Sequence, residues 1–476
     1  MTLIKSISGI RGTIGGKPGE GLSPVDIVKF VYAYYDVMVQ RNHEPKNGAK
    51  WRVVVGKDAR ISGEMVEHLV IGTLIACGVD VVCCEFASTP TTELAVQFSG
   101  ADGGIILTAS HNPKEWNALK LLNEDGEFLS AARGQAVLDC AESGDFNFAE
   151  VGKLGKVVRH EYIDEHVDMV VNLPAVDVEA IQNAHFKVVL DPINSVGATI
   201  MPRLLGKLGV DCIIINGVGN GQFAHNPEPL PKNLADLSAA VVANNADLGI
   251  SVDPDVDRLA LICEDGTPFI EENTLVAVAD YLLAREVELG HKDFCTVSNL
   301  SSSRALKDVT EKYGGKYYAA AVGEVNVTTK MHAVGAIIGG EGNGGVIYPE
   351  CHYGRDAMVG VALILSHLAH LKMKLSDYRN SLPQYSIVKE KIHLSDKELA
   401  NKILDSIKEY YKDQEVNTLD GVRVDFEQER KWVILRRSNT EPIIRVYAEA
   451  RTEKEARILA AEVQSIASTV INNEIK

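Results

Sequence analysis

Along the first third of the chain, short uniformly apolar runs alternate with stretches whose apolar residues recur at helical spacing. Residues 52–55, 80–84 and 104–107 read as buried strands, and residues 24–40, 63–77 and a segment beginning near Pro90 as helices. Ser23 before Pro24 supplies an N-cap followed by proline at the first helical position. Strands apolar on both faces, joined by helices, predict a mostly parallel or mixed sheet covered on both sides. The rhythm returns with strands over 187–190, 211–215 and 248–252 and a helix over 200–208, then with strands over 294–297 and 336–338 and helices over 273–285 and 355–371. The last stretch differs. A connector over 383–391 leads to a helix over 397–411, strands over 420–426, 432–436 and 443–448, and a terminal helix over 454–470. The pattern predicts three α/β domains, 1–155, 156–265 and 266–380, and an α+β domain, 381–476.

Length agrees with several domains, because 476 residues exceed the roughly 250–300 at which single cores stop growing. The formal charge of −17 gives no general attraction to nucleic acid or to an anionic membrane, although a local cleft can still be positive. Eight cysteines, Cys77, Cys83, Cys84, Cys140, Cys212, Cys263, Cys295 and Cys351, lie mostly in apolar runs without a CxxC pair or zinc-like spacing. They read as small buried hydrophobes in a reducing compartment. The N-terminus reaches glycine and arginine before a signal core could form, and no apolar run approaches the roughly 20 residues of a membrane span. Residues 359–369 come nearest and are broken by Ser366 and His367. A cytoplasmic protein with no membrane or nucleic-acid partner is expected.

Four polar loops carry the chemistry, each at a strand end, where α/β sheets bind ligands. Thr108–Ala109–Ser110–His111–Asn112–Pro113 offers a hydroxyl nucleophile or an ordinary helix start. Asp253–Pro254–Asp255–Val256–Asp257–Arg258 sets three carboxylates at alternate positions, a hard oxygen site for a divalent cation or a solvated acidic turn. Gly339–Gly340–Glu341–Gly342–Asn343–Gly344–Gly345 permits close ligand approach, with Glu341 and Asn343 able to grip hydroxyls; it lacks the Gly-Lys-Ser/Thr ending of a nucleotide loop. Arg436–Arg437–Ser438–Asn439–Thr440–Glu441–Pro442, with Arg445 beyond, reads as a phosphate cradle or an exposed strand end.

Together, in this order and spacing, the four loops resemble the α-D-phosphohexomutase superfamily of phosphoglucomutases, phosphomannomutases and phosphoglucosamine mutases, over essentially the whole chain. The resemblance implies three related α/β domains with mixed sheets and a C-terminal α+β domain around a central cleft, one loop from each. It implies a phosphoserine at Ser110, with Mg²⁺ held by Asp253, Asp255, Asp257 and an oxygen on Ser110. Lys120 matches the family lysine assigned to proton transfer, and His111 orients or assists the serine. Ser8–Gly9–Ile10–Arg11–Gly12 resembles the family's SGIRG segment and brings Arg11 to the serine; Arg258 and Arg60 support the phosphoserine. Glu341 and Asn343 meet the sugar, while Arg436, Ser438, Asn439, Thr440 and Arg445 hold the phosphate that is not reacting.

The implied activity is reversible phosphoryl transfer between the 1- and 6-positions of a hexose phosphate, with hexose 1,6-bisphosphate as intermediate and activator and a last domain that opens and closes. Asn343 and Gly345 stand where common bacterial members have serine and histidine, and Val322–Gly323–Glu324–Val325–Asn326–Val327 also departs from them; both features resemble archaeal-type members. Pro254 and Val256 replace the usual glycines of the metal loop. Glucosamine phosphate is the expected substrate, with mannose and glucose phosphates, or breadth across all three, as the alternative, and a monomer or homodimer as the assembly. A metal-dependent sugar phosphatase or a non-catalytic sugar-phosphate binder would not need Ser110, Lys120 and a separate phosphate cradle together.

Overall fold

The structure, a computed structural model, describes residues 1–6, 9–40, 44–46, 48, 50–394, 396, 398–438 and 442–474. The chain divides into two compact units, 1–281 with 343–379, and 282–342 with 380–476.

The first unit opens with a seven-stranded mixed sheet of β1 (Leu3–Ser6), β2 (Gly9–Thr13), β3 (Arg52–Lys57), β4 (Asp80–Phe86), β5 (Gly103–Leu107), β6 (Trp116–Leu122) and β7 (Val157–Arg159), in the order β1-β2-β6-β5-β3-β4-β7. The predicted strands are its parallel centre, β5-β3-β4. The antiparallel half escaped the sequence pattern. There β6 pairs with β5, setting Lys120 opposite Ile106, and with β2, setting Arg11 opposite Ala118. Around it pack α1 (Pro24–Tyr34), α2 (Gly63–Ala76), α3 (Thr89–Ser99) and α4 (Ala131–Ser143). Ser23 and Asp26 form a full capping box on α1; the regular helix stops at Tyr34 and continues to Gln40 as a π-turn, not as the α-helix expected to that point.

The second sheet is β11-β10-β8-β9, built from β8 (Lys187–Asp191), β9 (Asp211–Ile214), β10 (Leu248–Val252) and β11 (Leu259–Cys263), with α5 (Ile163–Val171), α6 (Val178–Ala184), α7 (Gly197–Lys207) and α8 (Ala235–Ala243). Every residue of β10 is buried, as its run of apolar and small residues predicts, and the aspartate loop leaves its C-terminal end.

After α9 (Glu271–Glu288), the second unit pairs β12 (Cys295–Asn299) in parallel with β13 (Lys316–Ala320) and β14 (Ile338–Glu341), beside α10 (Ala305–Lys312) and α11 (Glu324–Val334). The glycine-rich cluster does not simply follow this strand: Gly339, Gly340 and Glu341 belong to β14. The chain returns to the first unit with β15 (Gly345–Ile347), α12 (Ala357–Leu371) and α13 (Leu375–Ser381). Asp356 caps α12 by accepting from Met358 N, and nearly the whole helix is buried. Among the described residues no single helix is long and apolar enough to cross a membrane; α12 with α13 passes only as a pair bent by 91°.

The C-terminal domain is α+β. Its antiparallel sheet β16-β20-β19-β18-β17 comprises β16 (Ser386–His393), β17 (Glu415–Asn417), β18 (Val422–Phe426), β19 (Lys431–Arg437) and β20 (Ile443–Ala450), covered by α14 (Leu399–Tyr410) and α15 (Glu453–Glu474). The expected connector over 383–391 is thus mostly strand β16. Within the second unit this sheet is fastened to β12 and α10: Leu300 packs on Trp432 and Ile434, and Glu449 accepts from Trp432 Nε1 (2.6 Å) and Arg304 N (3.0 Å). Arg304 and Lys307 both pair with Glu427.

Candidate active site

Ser110 leaves β5 with φ of +46°, a left-handed conformation that non-glycine residues seldom adopt and that costs about 1–3 kcal/mol. The surrounding bonds impose it. Ser110 N donates to Thr108 Oγ1 (2.9 Å), whose hydroxyl donates to Asp58 Oδ2 (2.6 Å). Arg60 donates Nε to Asp58 (3.0 Å), Nη1 to the carbonyls of Pro113 (2.7 Å) and Trp116 (2.9 Å), and Nη2 to those of Ser110 and Asn112 (2.7 Å). A guanidinium has five N–H groups, and all are committed. Arg60 therefore shapes the loop through its backbone and has no donor left for a phosphate. Burial pushes the Asp58 carboxyl up to about 6 against the pull of Arg60 and Thr108.

Ser110 Oγ donates to Asp253 Oδ2 at 2.9 Å, joining the serine loop to the aspartate loop. Asp253, Asp255 and Asp257 are fully buried, with one oxygen from each within 4.8 Å of the others. Val256 makes the turn with φ of +60°, so this loop too is strained. Asp253 Oδ1 accepts from the backbone N–H groups of Asp257 and Arg258, both at 3.1 Å. Asp255 Oδ2 accepts from Thr89 Oγ1 (2.6 Å) and Lys120 Nζ (2.7 Å), while Asp257 Oδ2 accepts from Arg355 Nη2 (2.8 Å) and Lys120 (3.4 Å). Asp255 Oδ1 and Asp257 Oδ1 remain buried without a hydrogen-bond partner. Burial, then the charges of Asp257 and Asp255, hold the Asp253 carboxyl well above the ordinary range. Burial works the same way on Asp255, yet Lys120 outweighs it and holds that group below the ordinary value. Three crowded carboxylates with two orphaned oxygens are a cluster able to chelate a metal, and the all-oxygen donor set fits magnesium.

Burial alone would lower the Lys120 ammonium, but Asp255 and Asp257 raise it, so it stays charged. Arg258 lies 4.0 Å from Asp253 Oδ2 and 3.8 Å from Asp257 Oδ1, with a buried Nε that makes no hydrogen bond. Burial first, and then the charge of Arg258, lower the pKa of Arg11. His111 Nδ1 is 3.4 Å from Ser110 Oγ, and burial with Arg258 and Arg11 pushes its imidazole down to about 2. Burial and the two arginines thus favour the neutral imidazole.

In the second unit, Glu341 Oε1 accepts from Asn299 Nδ2 (2.8 Å) and Gly323 N (3.3 Å), and Gly342 N donates to Ser302 Oγ (2.8 Å). Asn343, on the first-unit side of the crossover, uses Oδ1 to accept from Gly345 N (3.2 Å). Of the cradle, Asn439 and Thr440 lie outside the described residues. Ser438 N donates to Ile443 O (3.0 Å). Arg436 is directly opposite Arg445 across β19 and β20, and Arg445 is opposite Lys391 on β16. Directly opposed residues share a face, and like charges there repel. Asp420 offsets the charge of Arg436 at 2.7 Å, and the Nε atoms of both Arg436 and Arg445 are buried without a hydrogen bond.

Sequence profiles described as phosphoglucomutase/phosphomannomutase match almost end to end: alpha/beta/alpha domain I over residues 3–148, domain II over 164–266, domain III over 271–385, and the C-terminal domain over 388–466. The chain belongs to the phosphoglucomutase/phosphomannomutase family. A phosphoglucomutase/phosphomannomutase of Thermococcus kodakarensis is 34% identical, covering 94% of this chain and 95% of the relative. A phosphoglucosamine/phosphogalactosamine mutase of Sulfurisphaera tokodaii is 33% identical, covering 88% and 92%. The crystal structure of a phosphoglucomutase/phosphomannomutase family protein from Burkholderia thailandensis superposes with a TM-score of 0.83 at 24% identity, over 98% of each chain, and shares the fold. As a family member the chain has three similar α/β domains followed by an α+β domain. It is an isomerase-class enzyme that performs phosphohexomutase-type intramolecular phosphoryl transfer by way of a 1,6-bisphosphate.

Three residues that lie against the predicted site residues escaped sequence reasoning. Thr89 opens α3, Arg355 precedes the cap of α12, and Lys391 lies in a strand taken for a connector. None of the three carried a local signal: residues 386–393 run Ser-Ile-Val-Lys-Glu-Lys-Ile-His, without polar–apolar alternation.

Proposed function

We propose that the enzyme is a phosphoserine-dependent phosphohexomutase that acts on glucosamine phosphate. The observation that carries the chemistry is the Ser110 hydroxyl, 2.9 Å from Asp253 beside two buried carboxylate oxygens with no hydrogen bond. In this reading phospho-Ser110 donates its phosphoryl group to the free hydroxyl of a hexose monophosphate, and the resulting 1,6-bisphosphate returns its other phosphate to the serine. Asp253, Asp255 and Asp257, with an oxygen on Ser110, would hold Mg²⁺, whose charge offsets that of the transferring group. Arg11 and Arg258 face the phosphoryl oxygens, which resolves their mutual repulsion. Lys120 Nζ supplies a proton to the departing oxygen and recovers one from the incoming hydroxyl, and neutral His111 orients Ser110 Oγ. Glu341 and Asn343 meet the sugar hydroxyls; Arg436, Ser438 and Arg445, with Asn439 and Thr440, anchor the distal phosphate.

Glucosamine phosphate is preferred by family analogy, the Sulfurisphaera relative being named for that substrate class. Activity on glucose and mannose phosphates is the second reading, favoured by the Thermococcus relative. Comparing kcat/KM for the three hexose phosphates, with magnesium and catalytic bisphosphate, ranks them. Ser110→Ala, folded by circular dichroism, is expected to lose isomerisation altogether; retained isomerisation refutes the phosphoserine route, and hydrolysis as the main wild-type activity favours a phosphatase.

A further inference from the structure

A second cluster of ligand-type side chains lies in the first unit, outside the site described above. His166 of α5, Cys351 and His352 of the segment after β15, and the α12 cap Asp356 are all buried, and one ligand atom from each lies within 4.8 Å of the others. The two imidazoles converge on one oxygen: His166 Nε2 is 2.7 Å and His352 Nε2 3.2 Å from Asp356 Oδ2. Their rings stand at 90° to each other. Asp356 Oδ1 points the other way, accepting from Met358 N (2.8 Å) at the head of α12.

The outward nitrogens are also held. His166 Nδ1 is 2.9 Å from Thr91 Oγ1, and His352 Nδ1 is 3.3 Å from Glu93 Oε2, both on α3. As the structure stands, each Nε2–H donates to the Asp356 carboxylate. A metal would displace those protons, with the Nδ1 groups facing Thr91 and Glu93 as the kind of outer partners that orient metal-bound histidines. The free thiol of Cys351 completes two nitrogens, one sulfur and one oxygen.

We propose that His166, Cys351, His352 and Asp356 form a structural zinc site. Four protein ligands close a tetrahedral shell and leave no position for substrate, the mark of a structural centre. The 2.7 Å contact would open to about 3.3 Å around a tetrahedral ion with ligand bonds near 2.0 Å. Hardness separates the two metals: a thiolate and imidazoles favour zinc, while the aspartate triplet favours magnesium. No short motif announces the site, since His166 and Asp356 are 190 positions apart.

The position gives the site a purpose. Thr91 and Glu93 lie in the same helix as Thr89, which bonds Asp255, and Asp356 adjoins Arg355, which bonds Asp257. Zinc would tie α3, α5 and the head of α12 together and so hold two supports of the magnesium loop in register.

The test is metal analysis of the full-length protein, prepared without chelator from zinc-supplemented culture and dialysed against excess magnesium. About one zinc per chain, as a closed structural site requires, is expected in the wild type and in Asp255→Asn. It is expected to fall at least tenfold in Cys351→Ser, with zinc X-ray absorption of the wild type showing one sulfur neighbour. Removing zinc should lower the unfolding midpoint, and zinc but not magnesium should restore it. A wild type without zinc, zinc with no sulfur neighbour, or full zinc retention in Cys351→Ser overturns the proposal; the absorption measurement decides it even where the variant fails to fold.

Discussion

Lys120 illustrates how much one side chain carries when three carboxylates share a buried loop. Its ammonium contacts Asp255 and Asp257 together. Removing one partner of a buried ionic group leaves uncompensated charge, which costs about 3–5 kcal/mol. Lys120→Gln should therefore be destabilised by that order in chelator and largely rescued by magnesium, as thermal melts would record. The loss of a positioned proton donor should lower its kcat by about 10²–10⁴-fold; a Lys120→Gln enzyme with unchanged kcat removes the lysine from proton transfer. Arg60 tests a different property. Lysine cannot reproduce a five-donor fork, so Arg60→Lys strands buried loop carbonyls at about 1–3 kcal/mol each. It should lose both stability and kcat with KM little changed, a split that steady-state kinetics would resolve. Ser110 and the three aspartates were readable from sequence because each motif is local and ends a buried strand. Thr89 and Arg355 were not, because only the folded chain brings α3 and the head of α12 against the aspartate loop. Arg60 was visible as a charge, but that its donors all go to backbone carbonyls depends on the path of the loop.

Among the elements, β20 carries the clearest pH signature. Glu449 projects from it into the contact with Trp432 and Arg304, and burial raises its carboxyl to about 7 from an ordinary 4.5. The folded state then binds its proton more tightly than the unfolded chain does. Stability consequently falls as pH rises from about 4.5 through 7 and the penalty is complete above that window, by about 3 kcal/mol. Glu449→Gln keeps an acceptor for Trp432 Nε1 and Arg304 N without the charge. Its unfolding free energy should be flatter than that of the wild type across that window and higher at pH 8; identical urea-unfolding profiles from pH 5 to 8 would reject this assignment. The parallel strands β3, β4, β5, β8, β10 and β12 were readable because they are largely buried and mostly apolar, whereas the parallel β7, fully exposed, and β13, mostly half-buried, were not. Strand β16 was not: Lys389, Glu390 and Lys391 gave it the polarity of a connector, and its pairing with β20 depends on residues far downstream, from Ile443 to Ala450. The antiparallel β1, β2 and β6 hid for a related reason, being short and interrupted by glycine or polar residues.

At the scale of the whole molecule, chain order and compact units do not coincide. The serine and aspartate loops belong to one unit and the arginine cradle to the other, while the glycine-rich segment passes between them at Gly342 and Asn343. The last domain shares apolar and ionic contacts with residues 282–342 in a single compact unit. The row Lys391, Arg445 and Arg436 in that unit has a thermodynamic consequence. Cations held in cross-strand register make folding itself an anion sensor: any ligand that binds only the folded protein shifts the unfolding equilibrium by mass action, by about 2.7 kcal/mol at a hundred times its Kd. Inorganic phosphate should thus raise the unfolding midpoint steadily with its concentration, and Arg445→Ala should flatten that rise; a midpoint indifferent to phosphate would count against the cradle. With phosphate held there, the protein's apparent robustness would report the phosphate around it, and melting temperatures taken in different buffers would describe different ligation states of one fold.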